Sequence, residues 1–247
     1  MSKNNSLLLL LFTFLILSCS ESDNEIKEER NQEEKVYLKS INLGSSAFYN
    51  FYYNNENSVD YIELEGTQND FTKKFYYENG KIKSAEYFDE NGNPTGSKEV
   101  YVYENNQIIE RQDYLSSGEV DEIYQYNYNE NLLETINYKG FNQTELSPLE
   151  KIEYDSEGRI ISRENLQSNI ITNYSYDHQK SPFLNFEPNI VLIDDFTGFV
   201  NNPISIEKIN GESTEIINQI NLSYEYNILN FPIKRTGNDQ NWEYIYY

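Results

Sequence analysis

Few residues in this chain have side chains that do covalent or metal chemistry. There is one histidine, His178, and one cysteine, Cys19. One histidine and one cysteine leave no zinc site, and no Ser-His-Asp triad away from His178. His178 follows a strand-like run, the ordinary place of a loop residue. Asp194 and Asp195 are adjacent carboxylates inside an apolar stretch. Paired carboxylates can perform acid–base work on glycosidic bonds, although sequence neighbours often point apart and serve caps or turns. Asp89-Glu90-Asn91-Gly92-Asn93 carries part of a calcium-loop pattern. An EF-hand wants its glycine sixth and its glutamate twelfth; here the glycine is fourth and the twelfth residue is Val100. The stretch reads as a hairpin turn. No catalytic, metal or cofactor residue is assigned.

The richer resource is aromatic. The chain has 23 tyrosines. Tyrosines along a groove can stack on sugars or grip extended peptides, and their commoner role is to hold a sheet together. Trp242 is either a ligand contact or a residue of a closing strand. Most tyrosines belong to a repeat. Ile152-Glu153-Tyr154-Asp155-Ser156-Glu157-Gly158-Arg159-Ile160 reads as strand, turn, strand, and related runs start at Phe51, Phe75, Tyr101, Tyr126, Tyr174 and Tyr224. The second tyrosines, at 53, 77, 103, 128, 154, 176 and 226, are 24, 26, 25, 26, 22 and 50 residues apart. One such period holds one hairpin. The last gap reads as two periods, with one copy missing or disguised.

Alternation supports strands. Ile220, Leu222, Tyr224 and Tyr226 share one parity, against Gln219, Asn221, Ser223 and Glu225. Val120, Tyr124, Tyr126 and Tyr128 oppose Asp121, Gln125 and Asn127, with Glu122 and Ile123 out of pattern. Period 2 gives one apolar, aromatic face and one wet face. Asn79-Gly80 and Glu157-Gly158 suit positive φ in a turn; Asn105-Asn106 and Asn129-Glu130-Asn131 use asparagine for that purpose. Phenol hydroxyls need partners when buried. So many of them imply a narrow or partly wet concavity.

The first residues read as a targeting segment. Lys3 precedes an apolar run from Leu7 to Leu17, too short for a mature transmembrane helix. Leu17-Ser18-Cys19-Ser20 resembles the bacterial lipoprotein cleavage box, which implies residues 1–18 as signal peptide and Cys19 as the lipidated first residue. Residues 19–35 read as an acidic flexible tether, with one isoleucine among charged and polar residues. Its acidic start resembles the surface-export signal of Bacteroidota lipoproteins. Residues 36–247 form a single repeat-built β domain. The net charge is −22, which disfavours nucleic acid and anionic lipid surfaces as partners. Residues 181–203 break the rhythm and are the most apolar part of the mature chain. They are expected to pack on the concave face of an all-β, antiparallel up-and-down meander forming a curled sheet, half-barrel or soluble barrel.

The Tyr-x-Tyr-Asp-x-x-Gly-Arg-Ile form is similar to the YD repeats of RHS-type proteins. Tyr176-Asp177-His178-Gln179-Lys180-Ser181-Pro182-Phe183, with Ile193-Asp194-Asp195 and Asn201-Asn202-Pro203, resembles a family of Bacteroidota lipoproteins of unknown function with a porin-like β fold. That resemblance implies a soluble barrel or half-barrel and supplies no catalytic residues. The expected function is a noncatalytic lipoprotein of the cell envelope, held in the outer membrane through Cys19. It would bind or scaffold through its tyrosine-rich sheet, with a glycan or a protein as ligand. Two alternatives stand beside it: a glycan-associated hydrolase using Asp194 and Asp195, and an integral outer-membrane barrel, to which the aromatic C-terminus from Trp242 to Tyr247 points.

Overall fold

A computed structural model describes residues 35–44, 46–186, 200–237 and 240–247. The leader, Cys19, the tether up to residue 34, and the pair Asp194 and Asp195 lie outside them. The described chain is all β. Its strands are β1 Leu38–Asn42, β2 Phe48–Tyr53, β3 Val59–Glu65, β4 Phe71–Glu78, β5 Lys81–Asp89 and β6 Pro94–Glu104. They continue as β7 Gln107–Tyr114, β8 Val120–Asn129, β9 Leu132–Lys139, β10 Ser147–Tyr154, β11 Ile160–Asn165 and β12 Ile170–Tyr176. The last five are β13 Pro203–Asn210, β14 Ile216–Asn221, β15 Ser223–Tyr226, β16 Pro232–Gly237 and β17 Gln240–Tyr246. Each pairs antiparallel with its sequence neighbour, except that β14 and β15 are halves of one run broken at Leu222. β14 pairs with β13 and β15 with β16. β17 then returns to β1, Ile41 opposite Tyr244 and Asn42 opposite Glu243. The sheet thus closes on itself through β1 and β17, and among the described residues the outer side of β14 stays without a backbone partner.

A bulge recurs at every repeat tyrosine. Tyr103 faces Ile108 and Val102 faces Glu110, so Ile109 is the extra residue. The same slip makes Lys39, Asp60, Lys83, Glu134, Ile161, Ile204 and Ile233 extra. Bulges bend a strand and sharpen its twist. These eight lie at one level, next to the repeat tyrosines, and add to the curl of the sheet.

The turns follow the sequence with one correction. Asn79 and Gly80, and Asn105 and Asn106, take positive φ in two-residue hairpins. In Asn129-Glu130-Asn131 it is Glu130 that does so, at 56°. Five-residue turns use a side chain. Asp155 Oδ1 accepts the N–H groups of Glu157 and Arg159, while Gly158 takes φ 77°. Asp89 accepts from Asn91 and Asn93 in the same way, so the 89–93 stretch is the expected hairpin turn.

The doubled gap has a different cause from a missing copy. Asp177 accepts from Gln179 and, in the place of the fifth turn residue, from Asn202. Its own N–H donates to the Asn202 carbonyl, as that of Asp155 does to Arg159. An ordinary turn has been spliced open there and closed again at Asn202. One period has been lengthened, and Tyr226 is its tyrosine. The described start of the splice folds inward as expected: Phe183 and Phe186 are buried edge-on against Phe51, and Asn185 donates to the Val36 carbonyl.

Candidate functional site: the lumen and its arginine layer

The inner face is built in layers, because the repeat puts equivalent residues at equal depth. The outermost layer, at the turns, is the second tyrosine of each copy. Tyr53, Tyr77, Tyr128, Tyr176 and Tyr246 donate to the carbonyls of Leu38, Val59, Ile108, Ile160 and Pro232. Each of these acceptors is the residue that the preceding tyrosine faces across its strand pair. The phenols thus link hairpin to hairpin. At the splice the pattern shifts: Tyr224 donates to the Pro203 carbonyl and Tyr226 to the Asp177 carboxylate. Burial pushes Tyr103, Tyr128 and Tyr154 up to about 12, so their phenols keep their protons. The repeat tyrosines are half-buried and most are hydrogen-bonded, as a partly wet concavity requires.

Two residues earlier lies a second layer. Phe51, Phe75, Tyr101, Tyr126, Ile152 and Tyr244 are buried there, and Tyr174 and Tyr224 half-buried. Most of their cross-strand partners are small or aliphatic: Ile41, Ile62, Ala85, Ile136 and Ile206. The other three are arginines. Arg111 faces Tyr101, Arg163 faces Ile152, and Arg235 faces Tyr224.

The third layer is polar. Lys73 and Glu99 pair at 2.8 Å, both largely shielded. Tyr87 and Tyr101 donate to the two oxygens of Glu99. Arg111 grips Asp113 through Nε and a terminal nitrogen at 3.0 and 3.2 Å and lies over the Tyr124 ring. Glu122 accepts from Tyr124 and Tyr138. Burial opposes the charge of Glu99, yet Lys73 and Arg111 hold it at about 2. Burial pushes Asp113 up to about 6, with Glu99 and Glu122 acting against the pull of Arg111. Arg163 meets Glu150 at 2.5 Å beside a cleft of about 510 Å³, which Tyr174, Ile206 and Lys208 also line.

The residues singled out from sequence are dispersed. His178 is exposed beyond β12. Trp242 sits in the third layer with the Arg235 guanidinium 3.2 Å from its ring centre. No group of three or more His, Cys, Asp or Glu among the described residues could hold a metal. The arginine layer was readable in the sequence: Ile109-Glu110-Arg111, Ile161-Ser162-Arg163 and Ile233-Lys234-Arg235 are the same bulge followed by the same inward residue.

The outer face carries charge at many strands, including the exposed pairs Lys83–Glu78, Lys151–Glu153 and Lys234–Glu225. A lipid-facing barrel needs an apolar band at that level.

No family model matches the chain, and no curated protein matches it. Solved structures do share its fold. A porin-like protein from Bacteroides uniformis ATCC 8492 superposes with a TM-score of 0.56 at 11% identity, over 85% of this chain and 98% of that one. A porin-like protein from Bacteroides vulgatus ATCC 8482 gives 0.52 at 11% identity, over the same shares.

Proposed function

We propose that the chain is a noncatalytic lipoprotein of the cell envelope, anchored in the outer membrane by Cys19, whose closed barrel binds a ligand through the polar end of its lumen. The observation that carries this reading is the division of polarity. Most repeat tyrosines are spent on internal bonds, the sheet leaves an extended peptide little edge beyond one side of β14, and the polar layer of ion pairs and phenols faces inward. The outer surface is charged and suits water, which favours a tethered barrel over an integral one. The leader and the motif around Cys19 support the anchor.

Two experiments test it. Cys19→Ala should move the protein from the membrane to the soluble fraction; continued detergent-only extraction would favour the integral barrel. Screening the purified protein against a glycan array, with a parallel hydrolysis assay, separates binder from enzyme. Retention without turnover is expected, whereas turnover abolished by Asp194→Asn or Asp195→Asn would establish the hydrolase reading.

A further inference from the structure

The three arginines of the second layer occupy one position of the repeat, so each is a control for the others. Arg111 finds two carboxylates, Asp113 two residues ahead on its own strand and Glu99 opposite that on β6. Arg163 finds Glu150 in the place that Glu99 holds, two residues before the inward residue of the preceding strand. Around Arg235 both places lack a carboxylate. The residue corresponding to Glu99 and Glu150 is Leu222, and the one corresponding to Asp113 is Gly237. A Cβ on Gly237 would fall 2.6 Å from both the Asn221 carbonyl oxygen and the Leu222 side chain, so no acid fits there. Among the described residues Arg235 has no carboxylate partner, and its buried Nε has no hydrogen-bond acceptor. The aromatic support of the guanidinium is kept, Tyr124 under Arg111 and Trp242 under Arg235.

We propose that Arg235, stacked on Trp242, is a binding site for the carboxylate of a small ligand entering the lumen, which supplies the acid that the other two copies hold in the chain. A guanidinium fork matches a carboxylate in two parallel hydrogen bonds. Within this same layer Arg111 is satisfied in that way by Asp113. An unpaired buried donor is costly, so an incoming carboxylate recovers what folding left unsatisfied. The net charge of −22 repels anions at long range, which confines their binding to such a local site. This inference rests on the lumenal-binding reading and names its ligand chemistry.

Trp242 is the sole tryptophan, so its emission reports on the site directly. The full chain in detergent is titrated with galacturonate, glutarate, inorganic phosphate and neutral galactose. Saturable emission changes with the carboxylates, and none with galactose, are expected; the sugar acid and the diacid tell whether the sugar ring contributes. Arg235→Gln should weaken carboxylate binding roughly 10- to 100-fold, and Arg235→Lys less. Leu222→Glu restores the acid of the other copies and should displace the ligand to a similar degree while the barrel stays folded by circular dichroism. A response to galactose equal to that for galacturonate would keep the lumenal reading and overturn the carboxylate. So would phosphate binding more tightly than either acid, or Leu222→Glu binding as the parent does. Absence of any saturable change with the two acids would also overturn it, and a glycan-array hit under that condition would place lumenal binding elsewhere.

Discussion

Tyr128 donates a hydrogen bond to the Ile108 carbonyl at 2.8 Å, and the bond joins two hairpins that the backbone ladder joins only through their neighbouring strands. Tyr128→Phe removes the hydroxyl and keeps the ring, so it should cost about 1 kcal/mol, read as a lower denaturant midpoint at unchanged slope. A midpoint equal to the parent's would show the phenol to be incidental. The carboxylates of the polar layer make a second residue-scale case. The folded chain keeps a proton on Asp113 up to about pH 6, where an unfolded aspartate has lost it from roughly pH 4. Ionisation of Asp113 therefore opposes folding, and its effect on stability is a loss as the pH rises through that window. Glu99, held at about 2, runs the other way. Its contribution is present above the unfolded value of roughly 4.3 and is lost as the pH falls toward 2. Asp113→Asn should flatten the stability profile between pH 4 and 6 relative to the parent and leave the acid limb in place. Equal slopes in that window would contradict the assignment.

At the scale of the element, the hairpins were legible because their determinants are local. Asp155 and Gly158 set a turn within five residues, and Tyr154 sits one residue before it. Asp155→Ala should cost about 1–2 kcal/mol, since two N–H groups and Arg159 lose their acceptor; thermal midpoints check it. The splice at Asp177 was illegible because its closing partner, Asn202, lies 25 residues on. A count of tyrosines registers only a long gap there. Phe186 is 2% exposed, and Phe186→Ala should cost about 3–5 kcal/mol. A loss below 1 kcal/mol would show that the splice only rests on the mouth of the barrel. Of the two breaks noted in the alternation of β8, Glu122 proved to be an inward acid with two phenol donors. A polar residue on an apolar face was the mark of the polar layer, and three Ile-x-Arg runs marked the layer beneath.

For the whole molecule, closure is the property no stretch of sequence states. It depends on the bend contributed by each bulge, summed around the ring, and on β17 meeting β1 in register. A lumen, a protected mouth and an arginine layer with a defined inside all follow from it, whereas a half-barrel would leave two edges and a hydrated trough. The meeting of the termini is directly measurable. Asn42 and Glu243 face each other across β1 and β17, and cross-strand Cα atoms lie roughly 4.5–5.5 Å apart, within reach of a disulfide. In a Cys19→Ser background, Asn42→Cys with Glu243→Cys should oxidise to an intramolecular disulfide in the folded monomer, with faster migration on a non-reducing gel. Free thiols, or disulfides formed only between chains, would mean that the sheet stays open.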